Sequence, residues 1–170
     1  MIVDQTLYNL LLQDTRFLLG AETEQAVRMR ELTESITDES LRTAFEEHAA
    51  ETDEQIRRLQ EILSASGEEG EGEIPSAVDG LIEDAEMVVD MELGEPAVDV
   101  ALAAAARKME HYEIGCYEST LAIAEQLGLD DIAQPLRQSL EEERRAEQRL
   151  TSVAAQLIQA QIPRETETAH

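Results

Sequence analysis

Residues 41–63 read LRTAFEEHAAETDEQIRRLQEIL, and the recurrence of their apolar side chains decides the fold. Leu41, Phe45, Ile56, Leu59 and Leu63 recur at helical spacing, along one face of an α-helix, and nothing here alternates with the period of two that a half-buried strand shows. Between Phe45 and Ile56 the same face carries His48 and the Glu51/Thr52 pair, with Gln55 next. The stripe is apolar at both ends and polar in the middle.

Working outward, the breaks are few, because the chain has only 8 Gly and 4 Pro. SASGEEGEGEIP (64–75) reads as a solvated linker, and LGEP (93–96) stops one helical pattern and starts another. SITDES (35–40) offers Asp38 as an N-cap, and QLGLDD (126–131) offers Gly128 as C′ and Asp130 as N-cap. The spacing between breaks predicts five helices over residues 3–35, 38–65, 75–93, 96–127 and 129–160. Four are long, roughly 40–50 Å at 1.5 Å per residue, and the third is shorter. Two long hairpins joined through a crossover helix make an all-α, four-helix bundle. Residues 1–162 read as one domain, and 163–170 as a frayed tail.

A weak internal repeat links the hairpins. LRTAFEEHAAE from Leu41 and LRQSLEEERRAE from Leu136 share the pattern L-R-x-x-(apolar)-E-E, as a pseudo-twofold would require.

Charge narrows the function. The chain has 170 residues, 38 Asp and Glu against 13 Lys and Arg, a net charge of −25 and a mean hydropathy of −0.34. With 42% hydrophobic residues it has the composition of a folding chain rather than an acidic disordered one. Such a charge repels nucleic acid and anionic membrane surfaces. Among the cations only Lys108 is not Arg; that balance reads as a protein of a salt-rich cytoplasm, where screening relieves self-repulsion, or as an acidic mesophilic protein from an Arg-rich, GC-rich genome. The lone Cys116 excludes an internal disulfide or a multi-Cys metal site. No apolar run is long enough to span a bilayer, so the chain reads as cytoplasmic.

The other long helices repeat the interruption. The first runs Leu7, Leu11, Asp14, Leu18, then Glu22 and Gln25, then Met29, Leu32 and Ile36. The fourth runs Leu102, Ala105, Met109, then Glu113, then Cys116 and Thr120, with Glu110 beside it; the last places Glu143 and Glu147 between Leu140 and Leu150. Counted from the hairpin turns, Glu22, Glu51, Glu110, Glu113, Glu143 and Glu147 lie roughly 21–28 Å along their helices, near mid-bundle. Carboxylates at one buried level must be protonated, paired with cations or ligated to metal. No Lys or Arg occupies the stripes at that height, and oxygen-rich sites with an imidazole suit iron or manganese.

LRTAFEEHAAETDEQIRRLQEIL, AARKMEHYEIGCYESTLAIAEQLGL and SLEEERRAEQRL together resemble the YciE/YciF family of stress proteins, within the ferritin-like superfamily. The resemblance runs from about Thr6 to Leu157. It implies a rubrerythrin-like bundle, a homodimer and a dinuclear iron or manganese site. Carried over, Glu22 is the ligand of the first helix, and Glu51 the bridging carboxylate of the second with His48 beside it. Glu110 or Glu113 serves in the fourth helix, and Glu143 with Glu147 in the last. The sequence departs from the usual Glu-x-x-His pair: the order is His48-x-x-Glu51, Glu54 stands where His belongs, and Ala146 follows Glu143.

Of the remaining residues, His111 reads as a surface group or a further ligand, Tyr112 and Tyr117 as core aromatics able to bond ligating carboxylates, and Cys116 as buried and inert. Arg57–Arg58 and Arg144–Arg145 read as partners of neighbouring Glu on solvated faces. No P-loop, dinucleotide fingerprint, GxSxG or HExxH occurs. Three functions fit: a dimetal protein acting on oxygen or peroxide, a metal-sequestering protein, or a metal-free helical dimer with a structural role.

Overall fold

Caps set where the helices begin. The Asp4 carboxylate accepts from the amides of Thr6 and Leu7, at 2.9 and 3.2 Å, and opens α1 (Gln5–Thr33). Asp38 does the same for Ser40 and Leu41 and opens α2 (Glu39–Ala65), the cap expected from its place before the apolar run. The computed structural model describes residues 4–68, 71–91, 93–94 and 97–160, and its remaining helices are α3 (Ser76–Asp90), α4 (Ala97–Leu127) and α5 (Asp130–Ala160). All regular structure among the described residues is helical. The expected tail, 163–170, lies outside them.

Glycine closes α4: Gly128 has φ +68°, while the Leu129 amide bonds the Ala124 carbonyl at 3.0 Å. A side chain would strain that left-handed residue, which is why glycine stands there. α5 begins at Asp130 itself, with the Leu129 carbonyl taking the bonds from Ile132 and Ala133, so Asp130 lies in the first turn rather than capping it.

α1 packs on α2 and α4, and α5 on α4 and α2, while α3 lies outside against α4 and α1. The crossover carries the chain back, so α4 starts beside the α1–α2 turn. Asp99, fully buried in the first turn of α4, accepts from the amides of Thr37 and Asp38 at 2.9 Å each and from the Thr37 hydroxyl. Before α3, residues 72–74 lie across α1. The Glu73 amide donates to the Arg16 carbonyl at 3.1 Å, and a Cβ on Gly20 would come within 2.2 Å of the Glu73 carbonyl oxygen. The stretch expected to be a free solvated linker is thus tied to the bundle at its end.

The core is split. Leu11, Leu18, Leu59, Leu63, Leu127 and Leu136 form an apolar cluster at one end of the bundle. Met29, Leu41, Phe45, Leu102, Leu150 and Leu157 form another at the other end. Fully burying each such side chain contributes roughly 1.5–3 kcal/mol, so the two clusters clamp whatever lies between them. What lies between is polar.

Candidate metal centre

Four helices deliver the layer. Glu22 comes from α1, His48 from α2, Glu110 and Glu113 from α4, and Glu143 from α5. All four carboxylates are 0% exposed and His48 is 3% exposed. One ligand atom from each of His48, Glu110, Glu113 and Glu143 lies within 4.8 Å of the others, a grouping able to hold a metal ion. The internal repeat explains part of this: His48 and Glu143 are its equivalent positions, and they come to 3.9 Å.

The hydrogen bonds satisfy only part of the group. Tyr117 donates to Glu22 Oε1 at 2.6 Å, Gln25 donates to Glu110 Oε1 at 3.3 Å, and Gln55 donates to Glu143 Oε1. His48 Nε2 lies 3.1 Å from Glu110 Oε1. Against these, one oxygen each of Glu22, Glu110 and Glu143 and both oxygens of Glu113 have no protein partner. Buried polar atoms are nearly always paired, so five unpaired carboxylate oxygens in one layer mark a place built for something else.

Electrostatics follow from that geometry. Burial raises Glu22 to about 7, against the lowering bond from Tyr117. Burial and then the neighbouring carboxylates Glu22 and Glu143 push Glu113 well above the ordinary carboxylate range, and Glu143 is raised by burial, Glu22 and Glu110. For His48 burial opposes the charge, but Glu110, Glu51 and Glu143 outweigh it and hold the imidazole well above its usual value. The layer therefore holds protons that a divalent cation would displace.

The remaining candidates stand at the margin. Glu51 is half-buried, with Oε2 3.8 Å from His48 Nδ1, and that imidazole together with Arg149 holds it below its ordinary value. Glu147 stands apart: four residues beyond Glu143, the helix turns it toward α4, where Arg107 pairs with it at 2.8 Å and Thr151 donates at 2.7 Å. His111 is exposed, 3.7 Å from Glu147. Glu54, in the place of the missing His, is exposed and paired with Arg57. Cys116 is only partly buried, rather than wholly.

Arg58 corrects the reading of Arg57–Arg58 as a solvated pair. It is buried and forks onto Glu142 of α5 at 2.6 and 2.8 Å, with Ser139 at 2.8 Å. A bidentate guanidinium satisfies a buried carboxylate well, so this pair is closed and lends the layer no charge. Tyr117 bonds a carboxylate of the layer, as expected of it, and Gln25 and Gln55, seen in the sequence only as polar members of their core stripes, are positioning groups as well.

The donor set fits iron or manganese: carboxylate oxygens, one imidazole and supporting amide and phenol donors. Residues 5–162 match the family described as Domain of unknown function (DUF892). The chain belongs to this family. YciF of Escherichia coli K12 is 35% identical over 145 residues, 85% of this chain and 86% of that protein. The crystal structure of that stress protein superposes with a TM-score of 0.86 at 31% identity, covering 91% of this chain and 98% of YciF. YcfI of Rhodopseudomonas palustris, provisionally described as a structural protein, gives a TM-score of 0.83 at 33% identity, over 89% of this chain and 98% of that one. A two-domain Anabaena variabilis protein with a ferritin-like domain gives 0.66 at 17% identity, over 94% of this chain and 40% of that one, a likeness of fold alone. This DUF892 chain is thus a ferritin-like bundle of the YciF type. Among its described residues no helix is long and apolar enough to cross a membrane.

Proposed function

We propose that this DUF892 protein holds a carboxylate-rich dinuclear iron or manganese centre and acts on oxygen or peroxide in stress protection. The observation that carries the reading is the convergence of Glu110, Glu113, Glu143 and His48 with carboxylate oxygens left unpaired in a buried layer. These four residues would hold metal, with Glu22 and Glu51 at the flanks. Tyr117, Gln25 and Gln55 orient the carboxylates from which they draw their bonds. A metal there would supply redox and Lewis-acid chemistry toward a small oxidant. His48 must give up its proton to become a ligand, so occupancy rises with pH. The working context is a homodimer in a salt-rich cytosol, apart from nucleic acid and membranes.

Sequestration without turnover uses the same residues. A metal-free structural role is the second reading, favoured by the description of YcfI and by the protons that the raised carboxylates can hold. Elemental analysis of protein purified without chelator separates them. The metal reading expects stoichiometric iron or manganese, lost in Glu113→Gln and Glu143→Gln while the helical circular dichroism is retained. Trace metal unaffected by either substitution overturns it. Peroxide consumption after loading then separates turnover from storage.

A further inference from the structure

Beside the carboxylate layer lies a second feature that the metal reading does not use. α1, α2, α3 and α4 frame a pocket, partly open to solvent, walled by Met29, Phe45, Ile82, Leu102, Met109 and Gln25. It leaves about 40 Å³ in which the centre of a water-sized molecule can move. Its walls are almost wholly apolar, a lining that favours small apolar guests over polar ones. Toward solvent it is edged by Arg28, whose guanidinium reaches Glu86 of α3 at 3.5 Å.

Its inner end is Gln25. That amide is buried, lines the cavity and reaches the layer at once: Nε2 lies 3.3 Å from both Glu110 Oε1 and His48 Nε2, while Oε1 has no partner. Met109 and Glu110 are consecutive, and Phe45 lies one turn before His48. The cavity and the layer share one polar wall, a single side chain thick.

We propose that this cavity is a binding site for molecular dioxygen, with Gln25 as the positioning residue between the dissolved gas and the carboxylates. A molecule with several hydrogen-bonding groups, such as peroxide, would leave most of them unpaired among these walls. Dioxygen has none to lose. The direction of travel rests on the metal reading above; occupancy of the cavity does not.

The test uses metal-free full-length protein, with methyl relaxation measured by NMR under a few bar of dioxygen. Paramagnetic enhancement several-fold larger at the Met29 and Met109 methyls than at Leu11 and Leu136 is the expected result. Uniform enhancement across all four overturns the proposal. Ala105→Leu, which adds bulk to the cavity wall, should abolish the excess at Met29 and Met109. An unchanged excess in that variant also overturns it, and the wild-type measurement stands even if the variant does not fold. Because no metal is present, a failed metal reading leaves this result untouched.

Discussion

Asp99 and Glu113 are both wholly buried carboxylates on α4, and the chain treats them in opposite ways. Asp99 accepts three hydrogen bonds from Thr37 and Asp38 and fastens the start of α4 to the α1–α2 turn. Glu113 accepts none, and three other buried carboxylates share its layer. The Arg58–Glu142 pair belongs with Asp99, as a buried charge closed by its own partners. A closed buried charge is costly to break once made; an open one destabilises the fold and is kept for another purpose.

Breaking a closed pair should have the largest effect. Arg58→Ala strands Glu142 and should cost roughly 3–5 kcal/mol, read as a lower urea midpoint. The open layer should instead appear as a pH dependence of unusual sign. Glu22 is raised to about 7, and Glu113, Glu143 and His48 are also raised. Groups that bind protons more tightly when folded stabilise at low pH, and that stability is lost as pH rises through their folded values. For Glu22 the loss falls between the ordinary carboxylate value and about 7, and amounts to roughly 3 kcal/mol. Glu51 and Glu147 are lowered and run the other way, their contribution fading only as pH falls through their folded values. Metal-free protein should therefore be more stable near pH 5.5 than near pH 8, by denaturant titration at fixed salt, and added iron or manganese should flatten the difference.

Asp99→Asn tests the closed carboxylate more gently. It keeps the volume but places an amide donor against donors, and should cost about 2 kcal/mol. Glu113→Gln sharpens the contrast, because it removes the need ever to ionise a buried carboxyl that has no partner. It should stabilise metal-free protein by about 1 kcal/mol while abolishing metal uptake, seen by melting and by elemental analysis of one preparation. A loss of stability comparable to that of Asp99→Asn would show that Glu113 is structural.

The mid-bundle height of the buried acids was legible because helical periodicity is strict. A residue that interrupts an apolar stripe must face the core, and counting from Gly128 or the turn before Asp38 gives its level. Rotation within a stripe was less legible. Glu143 and Glu147 are four residues apart and both fit the pattern, yet one turns inward and the other meets Arg107. Arg58 reads like Arg57 by its neighbours, and only Glu142 on another helix draws it into the core. Asp99 carried no local signal of its clamp, since its partners lie about sixty residues away.

By itself the sequence determined five helices, the Asp38 cap and the Gly128 stop, the crossover and a polar interruption on four core faces. These follow from spacing and local hydrogen bonding, which neighbours along the chain decide. Only the tertiary structure decided which acids are closed by partners and which are left open, and that Gln25 stands between an apolar pocket and the carboxylates. Whether a buried charge is satisfied depends on groups from other helices, and their approach is set by the packing of the whole bundle.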